Sequence, residues 1–248
     1  MTVKIFIDPG HGGKDPGTVG NGLQEKDLTL KIALKIRDIL KAEYTGHTIR
    51  MSRTTDKTVT LKQRTDMANA WNADFFLSVH INAGGGTGYE DYIYVKLSNS
   101  TKTAKLRQII HQEIMSAIPG IRDRGMKKAN FHVLRETKMP AILTENLFID
   151  QLSDAKKLKD EDFINQIARG HAVGLAKALK LSKKSPNQEE GVSKMPEKDE
   201  QTLSEWAQEA VDLAIELGIT DGTRMKEPAT REEVITMIMR AFFLLNSS

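Results

Sequence analysis

The sequence predicts an α/β fold in which a mixed, mainly parallel sheet is flanked by helices, with a small helical domain at the C-terminal end. Two observations predict it. Short apolar runs typical of buried strands alternate along the chain with longer stretches whose apolar residues recur at helical spacing. A polar segment then separates this alternating region from two further helical patterns. Sheets of this kind place their sites beyond the carboxyl ends of the strands.

The alternating region supplies the predicted strands and helices. Apolar runs bounded by turn residues predict strands at residues 3–8, 48–53, 75–81, 89–95 and 141–148. Helical spacing of apolar residues predicts helices at residues 28–42, 61–71, 104–118 and 162–179. An alternation of strands and helices is typical of parallel strands joined by crossover helices, so we expect a layered α/β domain over residues 1–181.

The remainder of the chain divides into a linker and a small module. Residues 182–200 are polar, contain two prolines and lack apolar periodicity, which predicts a linker. Residues 201–248 contain helical patterns at 204–217 and 231–244. Thr230 and Glu233 have the spacing of a capping box for the second of these helices. A helical hairpin of this size lies near the lower limit for independent folding.

Composition narrows the classes of function. The chain has no cysteine, so any metal must be held by His, Asp or Glu side chains. The formal net charge of +3 is too small to predict nucleic-acid binding. No stretch is apolar for the roughly 18 residues that a membrane helix needs, so we expect no membrane insertion. The first residues read as a strand and lack the pattern of a signal peptide.

Four side chains are predicted to meet at one edge of the sheet. His11 follows the first strand in a glycine-rich loop, and His80 lies near the end of another buried strand. Glu25 begins the first long helix, and Glu145 lies at the end of the run AILTE. Two imidazoles and one carboxylate, with a fourth position for water, form a catalytic zinc site, and the other carboxylate is then available as a general base.

Structural explanations of the same residues remain open at this point. A histidine in a strand is often a hydrogen-bonded core residue, and Glu25 at a helix start complements the helix dipole. Glu145 is harder to explain structurally, because a glutamate inside an apolar strand is costly to bury without a partner. His132 is the reserve ligand, and we expect Asp8 to orient His11 rather than to bind metal.

Three blocks of the sequence resemble a known family. They are DPGHGGKDPGTVGNGLQEKDLTL, LKQRTDMANAWNADFFLSVHINA and MPAILTENLFI. In this order they are similar to the signature blocks of zinc-dependent N-acetylmuramoyl-L-alanine amidases of the amidase-3 type, over about residues 2–181. The resemblance implies a mixed sheet flanked by helices. It also implies Zn²⁺ as cofactor with His11, Glu25 and His80 as ligands, and Glu145 as the catalytic residue.

The chain departs from the family pattern just after the last block. Where the family often has a glycine two residues after the glutamate and an asparagine a few residues further on, this chain has Leu147 and Gln151. The departure concerns the shape of this loop and leaves the four site residues intact.

The C-terminal segment is similar to a single S-layer-homology-like repeat, as found in modules that anchor proteins to cell walls. The repeat covers WAQEAVDLAIELGITDGTRMKEPATREEVITMIMRAF. This resemblance implies a module that binds a bacterial cell-wall polymer, and a hairpin used for dimerisation is the alternative. With the missing signal peptide, the layout resembles a phage or prophage endolysin. Such an enzyme is made in the cytoplasm and acts on the wall after release through a holin-like pore.

The expected function is therefore hydrolysis of the peptidoglycan amide bond between N-acetylmuramic acid and L-alanine by zinc-activated water. One alternative keeps the metal and changes the bond, as in a zinc peptidase that cuts the stem peptide. The other is a non-catalytic cell-wall-binding protein, against which the complete set of four site residues argues.

Overall fold

The computed structural model describes residues 2–184, and within this range the chain forms one layered α/β unit. The strands are β1 (Val3–Pro9), β2 (Val19–Gly20), β3 (Leu23–Gln24), β4 (Tyr44–Thr45), β5 (His47–Met51), β6 (Phe75–Asn82), β7 (Tyr89–Tyr94), β8 (Asp123–Ala129), β9 (Ala141–Phe148) and β10 (Ser182–Lys183). The helices are α1 (Glu25–Glu43), α2 (Leu61–Ala70), α3 (Lys102–Ala117), α4 (His132–Arg135), α5 (Leu152–Lys159) and α6 (Glu161–Ala178). The C-terminal helices predicted at 204–217 and 231–244, and the predicted linker beyond residue 184, lie outside the described residues.

The main sheet has six strands in the order β5-β1-β6-β9-β7-β8. All neighbouring pairs are parallel except β7 with β9, which is antiparallel. The predicted fold class, a mixed and mainly parallel sheet flanked by helices, is therefore confirmed. The carboxyl ends of β1, β6 and β9 lie side by side at one edge, because these three central strands run in the same direction.

Helices cover both faces of this sheet. On one face, α1, α3 and α6 pack over the larger apolar core. On the other face, α2 and α4 pack over a smaller core built around Phe6 and Phe76. Residues two apart on a strand point to the same side of the sheet. Further along the strands, toward their carboxyl ends, this second face carries polar side chains.

The helices form where their apolar residues fall on one stripe. In α1, Leu28, Ile32, Ile36 and Leu40 are buried at intervals of four residues or one helical turn. In α6, Gly170 lets the backbone of α3 approach closely, since a Cβ atom there would lie 2.8 Å from the Cα atom of Ile114. Close packing of α3 on α6 closes the core on that face.

Each strand and helix predicted within residues 2–184 is present, with ends shifted by a few residues. Six elements were not predicted: β2, β3, β4, β8, α4 and α5. In addition Ser182–Lys183, assigned to the linker, pair with β4 as strand β10. No helix within the described residues is long and apolar enough to cross a membrane.

Candidate metal centre and active site

The backbone brings four predicted site residues together at the carboxyl edge of the sheet. His11 lies in the loop after β1, and the loop is joined to β6 by a hydrogen bond from the Gly10 N–H to the Val79 carbonyl. His80 lies on β6, and Glu145 is its direct partner on β9. Glu25 is the first residue of α1. The sheet register therefore places an imidazole and a carboxylate side by side.

His11, Glu25 and His80 form a group that could hold a metal ion. One ligand atom from each residue lies within 4.8 Å of the others, and no other such group of three was found among the described residues. The Oε1 atom of Glu25 is 3.2 Å from His11 Nε2 and 3.0 Å from His80 Nδ1. The two imidazole rings meet edge to face, with centroids 5.0 Å apart. The three donors thus converge on one point.

The Glu25 carboxylate is held in place by the protein. Its Oε2 atom accepts hydrogen bonds of 2.9 Å from both the backbone N–H and the hydroxyl of Thr18. Its Oε1 atom also accepts a 3.0 Å hydrogen bond from the Ile81 N–H. Burial alone would raise the pKa of Glu25, but the hydrogen bonds with His11 and His80 outweigh it and hold this pKa far below its usual range. The residue is therefore an anion that favours a cation beside it.

Asp15 orients His11, and the expectation that Asp8 does so is wrong. The Nδ1 atom of His11 lies 2.8 Å from Asp15 Oδ2, which leaves Nε2 facing Glu25. Burial lowers the pKa of His11, but the hydrogen bonds and charges of Glu25 and Asp15 raise it overall. A carboxylate that accepts the second ring N–H is the usual support of a metal-binding histidine.

Asp8 instead pairs with a buried arginine. Arg64 Nη1 is 2.7 Å from Asp8 Oδ1, and both side chains are almost fully buried. The Ser78 hydroxyl donates to the other Asp8 oxygen at 2.8 Å. The physical reason for the wrong expectation is the strand alternation, which points Asp8 into the sheet face beside Ser78, its partner on β6.

Two buried arginines fix the loop that carries His11. Arg64 donates to the carbonyls of Pro9 and His11, both at 2.6 Å. Arg53 donates to the carbonyls of Pro9 at 3.2 Å and Gly10 at 2.8 Å. Three successive backbone carbonyls of the loop are therefore bound by guanidinium groups, which restrains the position of the His11 ring.

Two glycines are required by close contacts at the site. A Cβ atom on Gly10 would lie 2.3 Å from Cε1 of His80. Gly17 has a φ of +67°, and a Cβ atom there would lie 2.7 Å from both Glu25 Oε2 and His11 Cδ2. Larger residues at either position would displace the candidate ligands.

Glu145 lies beside this group and is partly exposed. Its Oε2 atom is buried and has no hydrogen-bond partner in the described part of the chain. Burial raises the pKa of Glu145 well above its usual range, and the charges of Glu25 and Glu90 raise it further. A carboxyl group that lies beside a histidine–glutamate cluster and has an unpartnered oxygen is suited to exchange protons with a reactant.

Sequence interpretation missed a second carboxylate, Glu90. It is the antiparallel partner of Glu145 on β7, so His80, Glu145 and Glu90 form a row across three strands. The glutamate inside the run YEDYIY was the available signal, since a charge in a strand needs partners.

Other histidines lie outside the candidate site. His132, the reserve ligand, is not part of the three-residue group. His111 is buried between Asp91 and Asp123, at 2.7 and 3.1 Å. His171 is buried against the Thr144 hydroxyl at 3.1 Å, and burial lowers its pKa to about 4. Both side chains are buried in the interior of the fold.

Comparison with known proteins assigns the chain to a family. The amidase-3 family, described as N-acetylmuramoyl-L-alanine amidase, matches residues 5–177. The chain belongs to this amidase family. The N-acetylmuramoyl-L-alanine amidase CwlM of Bacillus licheniformis is 60% identical over 181 residues, which cover 73% of this chain and 70% of that protein. The endolysin of Bacillus phage SPP1 is 47% identical over 188 residues, which cover 75% of this chain and 69% of the endolysin.

Solved structures of amidases have the same fold. The catalytic domain of the amidase CwlV from Bacillus (Paenibacillus) polymyxa superposes with a TM-score of 0.68 at 34% identity, covering 73% of this chain and all of that domain. An N-acetylmuramoyl-L-alanine amidase from Clostridium difficile 630 gives a TM-score of 0.68 at 37% identity, covering 72% of this chain and 97% of that one. The mixed sheet described above is thus the amidase fold.

Proposed function

We propose that this amidase hydrolyses the peptidoglycan amide bond between N-acetylmuramic acid and L-alanine, with Zn²⁺ bound by His11, Glu25 and His80 and with Glu145 as the catalytic residue. The observation that carries the proposal is the convergence of the three donors beside Glu145, in a chain that belongs to the N-acetylmuramoyl-L-alanine amidase family. Relatives that are named as amidases at 60% and 59% identity support the choice of bond.

The donor set fits zinc. Two imidazole nitrogens and one carboxylate oxygen are typical of catalytic zinc sites, which keep a further position open for water or substrate. When bound, Zn²⁺ supplies Lewis acidity toward a carbonyl oxygen and lowers the pKa of water. Glu25 supplies the negative charge of the site, and the contact of Asp15 with His11 Nδ1 would leave Nε2 free to hold the ion.

Glu145 is proposed to move the proton. As a carboxylate, it would accept a proton from the attacking water and then deliver it to the nitrogen of the leaving L-alanine. Its Oε2 atom has no hydrogen-bond partner among the described residues, so no internal contact has to break before this transfer. A divalent charge at the neighbouring ligands would favour the ionised form of Glu145, which has to be the starting state.

The bond is tested by amino-terminal analysis of purified peptidoglycan after digestion. We expect new amino-terminal L-alanine and no new reducing ends, because the amide between sugar and peptide is the bond that breaks. New termini of other amino acids would instead support a peptidase that cuts the stem peptide. Sedimentation of the protein with walls, without release of any terminus, would support a non-catalytic binding protein.

The cellular setting is part of the same proposal. The similarity to a phage endolysin supports an enzyme that acts on the wall after release from the cytoplasm, with a holin-like pore as the route. Attachment of residues 201–248 to a cell-wall polymer remains a proposal from the sequence, since these residues lie outside the described range.

A further inference from the structure

A second polar cluster adjoins the candidate catalytic residue. Glu90 is the direct partner of Glu145 across the antiparallel pair of β7 and β9, and it is 2% exposed. Arg124 and Lys127 reach it from the edge strand β8. The cluster therefore begins one strand away from the residue that we propose transfers the proton.

The Glu90 carboxylate is saturated with donors. Its Oε1 atom accepts from the Tyr92 hydroxyl at 2.5 Å and from the Asn82 side-chain amide at 2.9 Å. Its Oε2 atom accepts from Arg124 Nε at 2.6 Å and from the Lys127 ammonium group. Burial alone would raise the pKa of Glu90, but these hydrogen bonds outweigh it and hold the pKa at about 2. Glu90 is a permanent anion that anchors two cations.

The two cations keep unused donors. A guanidinium has five N–H donors and an ammonium group three, while one carboxylate has about four acceptor sites. Within residues 2–184, Arg124 donates only through Nε and Lys127 makes only one hydrogen bond, both to Glu90. The Lys127 ammonium group also lies 6.0 Å from the centroid of the Tyr92 ring. Their side chains are 24% and 37% exposed, respectively, so the remaining donors are open to solvent. Two positive charges face one anion, which leaves one positive charge in excess.

The arginine is also fixed in orientation. The guanidinium of Arg124 lies over the ring of Phe148, 4.8 Å from its centroid. Gly86 makes room for this arrangement, since a Cβ atom there would lie 2.5 Å from the Phe148 ring and 3.2 Å from Arg124 Nη1. A guanidinium fixed at Nε presents its terminal nitrogens as a planar fork, which matches the two oxygens of a carboxylate.

We propose that Arg124 and Lys127 form a subsite for a carboxylate of the substrate's peptide, next to the bond that is cut. This inference rests on the proposed function. In peptidoglycan the residue after L-alanine is a D-glutamate joined through its γ-carboxyl, and its α-carboxyl is a free carboxylate in some walls and an amide in others. That group lies one residue from the scissile bond, which suits a subsite one strand from Glu145.

The test compares two substrates that differ in one group. They are N-acetylmuramoyl-L-alanyl-D-glutamyl peptides with the α-carboxyl of the glutamate either free or amidated. We expect the wild-type protein, loaded with zinc, to hydrolyse the free-carboxylate substrate with a kcat/KM roughly tenfold or more above that of the amide, because hydrogen bonds between charged groups are lost. The products are counted as released L-alanyl termini.

Variants of Arg124 and Lys127 test whether these two residues cause the preference for the free carboxylate. Lys127→Gln and Arg124→Gln should each bring the ratio of the two kcat/KM values toward one. Lys127→Arg, which keeps the charge, should retain the preference. The matched control is Lys128→Gln, which changes an exposed lysine on the same strand that does not pair with Glu90 within residues 2–184. This variant should retain the wild-type ratio. Thermal unfolding of every variant separates loss of preference from loss of fold.

The outcomes separate this inference from the proposed function. Equal rates on both substrates in the wild-type protein, or a preference for the amide, would overturn the subsite while leaving the amidase function intact. A preference that survives in both glutamine variants would also overturn it. Release of no L-alanyl terminus from either substrate would instead count against the proposed function.

Discussion

Glu145→Gln is expected to lower kcat by about 10²- to 10⁴-fold while leaving metal binding intact. The glutamine keeps the size of the side chain but cannot accept the proton of the attacking water. Because Glu145 lies beside the three candidate ligands without being one of them, the zinc content should stay near that of the wild-type protein. The measurement is kcat on soluble muramoyl peptide, together with zinc content by elemental analysis.

The control for this variant is Glu161→Gln. Glu161 lies at the start of α6, is exposed and, among residues 2–184, forms ion pairs with Lys31 and Lys35 only. The same chemical change there should leave kcat within about twofold, since surface ion pairs contribute little. A Glu145→Gln protein that binds zinc and turns over at the rate of Glu161→Gln would remove Glu145 from the mechanism.

Arg64→Met is expected to lower the free energy of unfolding by about 3–5 kcal/mol, because it leaves the buried Asp8 carboxylate without its cation. The variant also removes the hydrogen bonds to the carbonyls of Pro9 and His11. Any folded fraction should therefore bind zinc more weakly, since the His11 ring loses its backbone restraint. Urea unfolding followed by circular dichroism gives the first quantity, and zinc titration of the folded protein gives the second.

Lys62→Met is the matched control on the same helix. Lys62 pairs with Asp66 one turn away at 2.6 Å, and both side chains are exposed. The loss of this pair should change the free energy of unfolding by less than about 1 kcal/mol. Equal effects at Arg64 and Lys62 would show that the buried pair does not stabilise the fold in the way the contacts indicate.

The sequence was sufficient for the central elements of the fold because their residues are buried on regular patterns. The runs at β1, β6 and β9 are mostly apolar and mostly buried, as is typical of central parallel strands. Strand β8 was missed because DRGMKKA is polar and partly exposed at the sheet edge, where no apolar pattern is needed. Helix α4 has only four residues, too few to show a period.

The sequence was enough to predict that four side chains of the candidate site lie close together, but not which residues support them. The roles of these four residues stay predictions. His11 follows β1 and Glu25 begins α1, while His80 and Glu145 are direct partners on the neighbouring strands β6 and β9. The topology therefore places all four residues near one another. The supports depend on side-chain direction and on long-range contacts. In the sequence, Arg64 cannot be distinguished from an exposed arginine on a helix, because its partner Asp8 lies 56 residues away.

The proposed zinc centre is tested by zinc titration of the metal-free protein, with release of amino-terminal L-alanine from peptidoglycan as the readout. We expect no release without metal, full release at one Zn²⁺ per chain, and no restoration in His80→Ala, which lacks one of the three donors. Undiminished release from the metal-free protein, or equal restoration by zinc in His80→Ala, would contradict a catalytic zinc at His11, Glu25 and His80.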